Sequence, residues 1–415
     1  MPDEETLPRL EAKSGLKKAS LPDPFFASFY RAISPYRGCA HGCAYCDGRA
    51  ERYYVEGVFD RDVVVRHNAA EAIGRDVTRG EATLEEGAIG IGSGVTDVYQ
   101  PLEARLSLTR ASLERMADTG QAVVVLTKNA LVLRDFDLLS RFRKALVMVT
   151  VTTLDPALAS ILEPGASTPA ERLGVVERAR KAGFHAGVMA MPLCPGLSTG
   201  RESAERLFGS CRNSGAEFIQ PGGLTLRPGR QKDHFNAVLS GYRPDLLPLY
   251  SRLYSENRAS GMPGPDARET GEIAEWFRYL DGERIPTRVP HSIHRELLSP
   301  PDSVFVLLCH MAELYAQREV STARLKKSLD RYARWLADER TSLRRKRARA
   351  CATDPFPVTR ELTDRLVSLA RGSGLSSEKS LDTLLDNARL ASFLREVILE
   401  KKTFDYPTLS LVPPS

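Results

Sequence analysis

Six short apolar runs, separated by amphipathic stretches, dominate the chain between residues 28 and 228. They read SFYRAIS (28–34), GAIGIGS (87–93), AVVVLTK (122–128), ALVMVTVTTL (145–154), GFHAGVMAMP (183–192) and EFIQPGGLTL (217–226). Near-continuous apolar runs of this length predict parallel strands that are buried on both faces. Repeated βα units imply right-handed crossovers, and therefore a doubly wound sheet or a barrel. Because a complete barrel needs eight units, six units predict a partial (β/α)6 barrel.

The rest of the chain divides by composition. With 415 residues, the protein exceeds the size at which a single core usually stops growing, so we expect an accessory part beside the barrel. We predict a flexible leader over residues 1–27, the barrel over 28–255 and an irregular linker, rich in Gly, Pro and charge, over 256–301. Residues 302–415 are predicted to form a helical accessory region. The expected fold class is thus α/β, with a C-terminal all-helical extension.

Charge and hydropathy exclude some classes of protein. The net charge is +5, from 58 basic and 53 acidic residues, which is too small to imply a polyanionic partner by itself. No stretch approaches the roughly 18 uncharged apolar residues of a membrane span, and the polar N-terminus lacks the apolar core of a secretory signal. These features predict a cytoplasmic protein without a membrane partner, whose cysteines stay reduced.

Three of the seven cysteines, Cys39, Cys43 and Cys46, crowd into the stretch RGCAHGCAYC. A structural zinc site normally has four ligands in two pairs, and no second pair occurs in this sequence. A [4Fe–4S] cluster normally takes four thiolates, so three would leave one iron open to an exogenous ligand. The spacing favours an iron–sulfur cluster, with structural zinc and a coincidental loop as the alternatives. His41 would strain the loop as a fourth ligand.

The cysteine stretch and five later segments resemble one known family. CxxxCxxC with an aromatic residue before the last cysteine, after a first strand, is similar to the radical SAM superfamily. The segments that narrow the resemblance to its spore-photoproduct-lyase-like branch are SPYRGCAHGCAYCDGRA (34–50), TDVYQPLEARLSLTRASLE (96–114), VLTKNALVLRDFDLL (125–139), TVTTLDPALASILEPGASTPAERL (150–173), GVMAMPLCPGLS (187–198) and LTLRPGRQKDHF (224–235). The resemblance covers about Ser34 to Tyr254.

The resemblance implies a reaction and its cofactors. In that superfamily, S-adenosylmethionine (SAM) binds the open iron of a [4Fe–4S] cluster, and one electron cleaves it to methionine and a 5′-deoxyadenosyl radical. The radical then abstracts a hydrogen atom from a substrate inside the barrel. The protein is thus expected to be a radical SAM enzyme with two cofactors, the [4Fe–4S] cluster and SAM. Its expected partners are SAM, an electron donor such as flavodoxin or ferredoxin, and a nucleic acid.

Ligands of parallel barrels bind at the carboxyl ends of the strands, and the resemblance assigns cofactor contacts to residues there. The candidate cofactor-binding residues are Tyr45, Ser93, Asp97, Lys128, Thr150 and Thr152, and the metal ligands are Cys39, Cys43 and Cys46. For Ser93 or Asp97 the alternative is a helix N-terminal turn, and for the threonines it is strand packing. A lysine that closes a buried strand is rarely left unpaired. Lys128 is the strongest of these assignments, because the resemblance implies that a lysine at this strand end contacts the ribose or carboxylate of the cofactor.

Two departures from the family leave the substrate open. Spore photoproduct lyases carry a hydrogen-donor cysteine near the end of the second strand, where this chain has GIGSGVTD, and a tyrosine where it has Asp47. Repair of spore photoproduct is therefore not expected. A nucleic acid or nucleotide is the first candidate substrate, and a peptide or small molecule is the second. The third hypothesis for the function is a non-catalytic protein that binds an iron–sulfur cluster or zinc. The basic run ERTSLRRKRARA (339–350) indicates either a solvated helix end or a phosphate-contacting patch.

Overall fold

The computed structural model describes residues 7–54, 57–80, 85–92, 94–264, 272–346, 354–374 and 378–413. Seven strands of this part form one sheet in the order β1-β2-β5-β6-β7-β8-β9. Their bounds are Leu16–Asp23 (β1), Ser28–Ala32 (β2), Ala88–Ile91 (β5), Ala122–Thr127 (β6), Ala145–Thr150 (β7), His185–Leu193 (β8) and Ile219–Gly223 (β9). Tyr36–Arg37 (β3) and Val64–Val65 (β4) pair separately, as do Thr403–Asp405 (β10) and Ser410–Val412 (β11).

The predicted fold class is confirmed. The six apolar runs form the six strands from β2 to β9 in the main sheet, and every pairing among them is parallel. The runs are near-continuous because both faces are covered, and every residue of β7 is buried. The carboxyl ends of the strands therefore meet at one edge, where the cysteine loop also lies.

Helices connect the strands and cover the sheet. In the barrel they are Ala69–Thr78 (α1), Glu103–Leu106 (α2), Leu108–Met116 (α3), Phe136–Leu139 (α4), Pro156–Leu162 (α5), Pro169–Lys181 (α6), Arg201–Asn213 (α7), Arg230–Tyr242 (α8) and Leu247–Leu253 (α9). Helix α6 shows how local sequence sets these bounds. Thr168 and Glu171 form a reciprocal capping box, and Pro169 occupies the first turn, where its missing N–H costs nothing.

The leader and the linker differ from the prediction. Residues 16–23, expected to be flexible, form β1 and pair antiparallel with β2 at the edge of the sheet. The predicted irregular linker over 256–301 contains Glu272–Gly282 (α10) and His291–Leu297 (α11). Both helices bury an apolar side, through Trp276 and Leu280 in α10 and Ile293 and Leu297 in α11. The frequent Gly, Pro and charged residues there hid this apolar spacing.

The accessory region is helical, as its sequence predicted, and ends in a short hairpin. Its helices are Pro300–Gln317 (α12), Ala323–Lys346 (α13), Pro357–Arg371 (α14), Leu381–Leu385 (α15) and Ala388–Leu399 (α16), followed by β10 and β11. Their apolar sides join those of the sheet in one hydrophobic core. None of the helices in the described part of the chain combines the length and the apolar character needed to span a bilayer.

The basic run 339–350 is partly structural. Arg340 is buried and donates to Glu85 (2.6 Å) and Asp302 (2.6 Å), which ties α13 to the barrel. Arg344 also pairs with Glu85. Residues 347–350 of the run, including Arg347, lie outside the described residues. Arg340 and Arg344 thus form internal ion pairs with Glu85 and are not available to contact a phosphate.

A directed chain of hydrogen bonds joins α11, α12 and the hairpin. His310 Nε2 donates to the Pro24 carbonyl (2.8 Å), so in the neutral ring Nδ1 accepts from the Tyr406 hydroxyl (2.7 Å). The Tyr406 oxygen accepts from His294 Nε2 (3.1 Å), and His294 Nδ1 then accepts from the Ser303 hydroxyl (2.9 Å). Each bond direction follows from the carbonyl at one end, because a carbonyl can only accept. The chain is therefore satisfied when both rings are neutral.

This chain predicts a loss of stability in mild acid. Burial lowers the pKa of His310 to about 3 and that of His294 well below its usual value. The unfolded chain takes up protons at these rings below about pH 6.5, while the folded chain does not. The free energy of unfolding therefore decreases as the pH is lowered, by up to about 1.4 kcal/mol per pH unit for each histidine. Urea unfolding between about pH 7 and pH 5 measures this slope. His310→Gln is expected to make it shallower, and an equal slope in that variant contradicts the assignment.

Candidate functional site

The loop that carries Cys39, Cys43 and Cys46 runs from β3 to a 3-10 helix at Asp47–Arg49. Gly38 and Gly42 on either side of its first cysteine have positive φ angles of 85° and 65°, which other residues rarely adopt. A Cβ on Gly38 would also lie 2.7 Å from the Phe59 carbonyl. The two glycines thus allow the tight path that brings the three thiols together.

The three thiols lie within one another's electrostatic reach. Burial raises the pKa of Cys39, and nearby Asp97, Cys43 and Cys46 raise it further. Burial raises the pKa of Cys43 to about 12, although the nearby ammonium of Lys128 opposes that shift. In the described part of the chain, no three His, Cys, Asp or Glu side chains converge closely enough to hold one metal ion. The three thiols are therefore near one another without forming a closed metal-ion site in this part of the chain.

The segment after β5 and a buried arginine hold the loop's backbone. Gln100 accepts from the Ala40 amide (2.7 Å) and donates to the Gly38 carbonyl (3.3 Å). Arg49 donates to the carbonyls of Cys43 (2.9 Å) and Gly42 (2.8 Å). Both side chains are buried, so these bonds are shielded from water. The loop is therefore shaped by contacts within the chain.

The segment after β7 packs against the other side of the loop. The Ala44 amide donates to the Leu162 carbonyl (2.8 Å), and the Gly165 amide donates to the His41 carbonyl (2.8 Å). A Cβ on Gly165 would lie 2.4 Å from the Ala40 carbonyl oxygen. This backbone-to-backbone approach leaves no room for a side chain at residue 165.

Gly165→Ala is accordingly expected to push the cysteine loop out of place. Overpacking of this kind costs about 1–3 kcal/mol, and here the strain falls on the residues between two of the thiols. The amount of iron bound per chain is measured after anaerobic reconstitution, and the midpoint temperature of thermal unfolding is measured for the same variants. Gly174→Ala on α6 is the matched control, because a Cβ there meets nothing within 4 Å. Equal iron binding by the two variants would contradict this account of Gly165.

Asp97, predicted as a cofactor contact, organises the strand ends. Its carboxylate accepts from the Lys128 amide (2.7 Å), the Tyr99 amide (2.8 Å) and the Thr127 hydroxyl (2.9 Å). It also faces His41 Nδ1 at 3.4 Å. The His41 ring therefore turns toward Asp97.

Lys128 lies at the centre of the predicted site. Its Nζ is 5.9 Å from the centroid of the Tyr45 ring. Burial lowers the pKa of Lys128, but the nearby Cys43, Glu163 and Cys46 outweigh that effect and raise the pKa above its usual value. The residue therefore brings a firmly protonated ammonium next to the cysteine loop.

A buried network that the sequence did not predict lies beneath Tyr45 and Lys128. Glu163 accepts from the Tyr45 hydroxyl, from the Thr152 hydroxyl (3.0 Å) and from the Arg172 guanidinium (2.5 Å). Arg172 also donates to the Thr150 carbonyl (2.8 Å). Arg172 holds the pKa of Glu163 below its usual value against the effect of burial. The only sequence signal for Glu163 is its place in the stretch ILEPGAS (161–167), which is part of a segment that resembles the family.

Asp47, the residue after the last cysteine, ties the loop to the segment after β9. Its carboxylate accepts from the Thr225 hydroxyl (2.8 Å), the Gln231 amide (2.9 Å) and the Arg227 guanidinium (3.3 Å). Gln231 also donates to the Tyr45 carbonyl (2.9 Å). The position that departs from the family pattern is thus a structural anchor in this chain.

The structure brings most of the predicted site residues together. The contacts described above link seven of them, namely Cys39, Cys43, Cys46, Tyr45, Asp97, Lys128 and Thr152. Thr150 joins them because its carbonyl accepts a hydrogen bond from Arg172. Ser93 lies outside the described residues. Cys194, another free thiol, belongs to the same buried cluster as Cys43 and Tyr45. Burial raises the pKa of its thiol.

This chain is similar to several known proteins. The model of the radical SAM superfamily matches residues 33–206. An uncharacterized protein of Mycobacterium tuberculosis is 32% identical over 264 residues, which cover 62% of this chain and 75% of the relative. An uncharacterized protein of Methanocaldococcus jannaschii is 27% identical over 190 residues, covering 46% and 68%. Among solved structures, a spore photoproduct lyase variant aligns with a TM-score of 0.49 and 18% identity over 66% of this chain and 78% of that one.

Proposed function

This chain belongs to the radical SAM superfamily, and we propose that it binds a [4Fe–4S] cluster through Cys39, Cys43 and Cys46 and cleaves SAM reductively. The observation that carries the proposal is that Cys39, Cys43 and Cys46 lie within one another's electrostatic reach and that Lys128, which follows β6, lies near Cys43 and Cys46. Lys128 is thus at the carboxyl end of a strand, where barrels of this kind bind their ligands.

The residues present suit such a cluster. Three neighbouring thiols would supply three of the four thiolates that a [4Fe–4S] cluster usually takes. The nearby Lys128 ammonium opposes the rise that burial causes in the pKa of Cys43, and so stabilises a thiolate there relative to burial alone. A cluster held by Cys39, Cys43 and Cys46 would supply the electron for the reductive cleavage of SAM, which in this superfamily leads to hydrogen abstraction from a substrate.

The surrounding residues are assigned to binding SAM. We infer that the Lys128 ammonium pairs with the cofactor carboxylate or ribose, and that the Tyr45 backbone lies beside adenine. Thr150 and Thr152 stand at the end of β7, where the ribose would be held. Glu163 and Arg172 keep Tyr45 and Thr152 in place, because both hydroxyls donate to the Glu163 carboxylate. Asp97 and Ser93 are assigned to the side of the methionyl amine, with Asp97 also fixing the Lys128 backbone.

The decisive experiment is anaerobic reconstitution with iron and sulfide, followed by dithionite and SAM. The expected product is 5′-deoxyadenosine, detected by mass spectrometry, and its formation should require both the reductant and bound iron. A reconstituted protein that binds iron but neither binds nor cleaves SAM would contradict the proposal and favour a non-catalytic iron–sulfur protein. Binding of one zinc ion in place of a cluster would point to a structural metal site.

Lys128→Ala is expected to weaken SAM binding without loss of iron. A hydrogen bond to a charged group is worth about 1.5–3 kcal/mol, so the dissociation constant should rise by about tenfold or more. Calorimetry on the reconstituted protein measures the affinity, and an iron assay checks the cluster. Lys144→Ala serves as the control, because Lys144 is exposed and lies just before the start of β7. An unchanged affinity in Lys128→Ala would remove this residue from the site.

We propose a nucleic acid or nucleotide as the substrate, on the family resemblance. The second candidate is a peptide or small molecule. The two substrate classes are distinguished by testing which of them increases the formation of 5′-deoxyadenosine and incorporates deuterium from a deuterated assay buffer. Nucleic-acid fragments should do so, whereas stimulation by peptides alone would favour the second candidate.

A further inference from the structure

One amide side chain on β9 is buried with its oxygen unpaired. Gln220 is 7% exposed, and within the described part of the chain no donor reaches its Oε1. A buried acceptor without a partner destabilises a folded protein, and native structures keep few such atoms. A bound ligand that donates a hydrogen bond to Oε1 would account for this one.

The neighbours of Gln220 show which side of the sheet it faces. Helix α10 packs against β9, and a Cβ on Gly223 would lie 3.7 Å from Ile273 of that helix. Because side chains alternate along a strand, Gln220 and Gly222 face the opposite side, which is the interior of the barrel. A Cβ on Gly222 would accordingly lie 3.0 Å from the side chain of Met191 on β8.

Gln220 shares this interior side with residues assigned to SAM, but at a distance from them. Thr150 on β7 pairs with Met189 on β8, and Met189 pairs with Gln220. Adjacent strands lie about 4.8 Å apart, so about 10 Å separates the backbones of Thr150 and Gln220. A second ligand therefore has room beside a ribose held at Thr150.

The interior is open above Gln220 and closed below it. Gly222, the next residue of β9 on the same side, has no side chain that could block the way from the carboxyl ends of the strands. Phe218, just before β9, is fully buried, and a Cβ on Gly187 of β8 would lie 2.2 Å from its ring. A ligand that enters at the carboxyl ends would thus reach the amide and stop at the ring of Phe218.

We propose that the Gln220 amide recognises the substrate by pairing with the edge of a nucleobase inside the barrel. The inference rests on the proposed function, because it concerns the substrate of that same site. A carboxamide offers an acceptor beside an N–H donor, and nucleobase edges offer the complementary pair. An ionised phosphate or carboxylate has no donor for Oε1, so the unpaired atom favours the base of a nucleotide over its phosphate.

The test compares the wild type with Gln220→Leu. Gln317→Leu is the matched control, because Gln317 is an exposed glutamine at the end of α12. Calorimetry on the reconstituted proteins, with and without SAM and without reductant, measures binding of the four deoxynucleoside 5′-monophosphates. The base-free probe is 2-deoxyribose 5-phosphate, and the peptide probe is N-acetylalanine methylamide. Affinity for SAM is measured in the same way.

Gln220→Leu is expected to bind the preferred nucleotide about tenfold more weakly, which is the effect of losing one bidentate amide–base pair. Its affinity for 2-deoxyribose 5-phosphate should change by less than about twofold, because that probe lacks the base. Gln317→Leu should bind all probes as the wild type does. In urea, the unfolding midpoint of Gln220→Leu without iron should not decrease, because an unpaired acceptor is removed. A purely structural role for Gln220 would decrease it.

Several outcomes overturn the proposal. They are the absence of nucleotide binding by the wild type, equal nucleotide binding by the wild type and Gln220→Leu, and binding of the peptide probe alone. Loss of SAM affinity in Gln220→Leu with nucleotide binding unchanged also overturns it, and assigns Gln220 to the SAM site. If dithionite drives no SAM cleavage in the wild type, the proposed function fails, whereas the nucleotide comparison still decides whether Gln220 recognises a base.

Discussion

Replacing Cys43 with alanine is expected to leave a folded chain that holds no [4Fe–4S] cluster and cleaves no SAM. Cys43 is buried in one cluster with Tyr45 and lies near the Lys128 ammonium. With two thiolates left, a cluster would lack half of the protein ligands it usually takes. Iron and sulfide content, the brown absorption and 5′-deoxyadenosine formation measure the loss.

Cys211→Ala is the matched control for that variant. Cys211 is a fully buried thiol on α7, in the main core and away from the loop, and burial raises its pKa to about 12 as well. Its replacement should keep iron, colour and activity. Full iron content in Cys43→Ala, or equal loss in both variants, would contradict the assignment of the cysteine loop as the cluster site.

Glu163→Ala is expected to destabilise the protein by about 3–5 kcal/mol, because removal of one partner leaves the Arg172 charge buried and uncompensated. Glu163 and Arg172 are both almost completely buried and lie 2.5 Å apart. The same change frees the hydroxyls of Tyr45 and Thr152 beneath the proposed SAM site. Urea unfolding of the protein without iron measures the stability, and calorimetry after reconstitution measures SAM binding.

A double variant separates the two effects. Glu163→Leu with Arg172→Met removes both charges, and replacement of a buried pair by apolar residues is often close to neutral for stability. We expect it to recover much of the stability lost in Glu163→Ala while SAM binding stays weak. Recovery of both properties would show that the network serves stability alone. Equal stability of Glu163→Ala and the wild type would contradict the predicted cost of the unpaired arginine.

The sequence predicted the parallel strands well because their signal is local. Strand β7 needs apolar residues on both faces, and ALVMVT shows that requirement directly. Strand β1 was missed because it is an edge strand with four consecutive exposed residues, so LKKASLPD looks like a polar leader. Its position depends on pairing with β2, which no pattern within residues 16–23 records.

The candidate site, like the fold, could be predicted from the sequence only in part. The cysteine spacing and the lysine at the end of an apolar run were visible in the sequence, and the structure brings them together. The contacts that hold them were not visible. Glu163 meets Arg172 across a helix start, and Gln100 reaches back about 60 residues to Gly38 and Ala40. These contacts depend on the tertiary structure. In the sequence alone, each residue therefore resembles an ordinary charged or amide side chain on the surface.

The core shared by the barrel and the C-terminal helices has a practical consequence for truncation. Helix α13 places Arg340 against Glu85, just before β5, and against Asp302 on α12. A fragment that stops after α9 would keep every cysteine of the loop but leave Glu85 buried beside an empty groove and expose the apolar side of the sheet. Although the residues that resemble the superfamily end near Tyr254, the smallest unit that folds and loads iron should therefore extend through α16 and the β10–β11 hairpin.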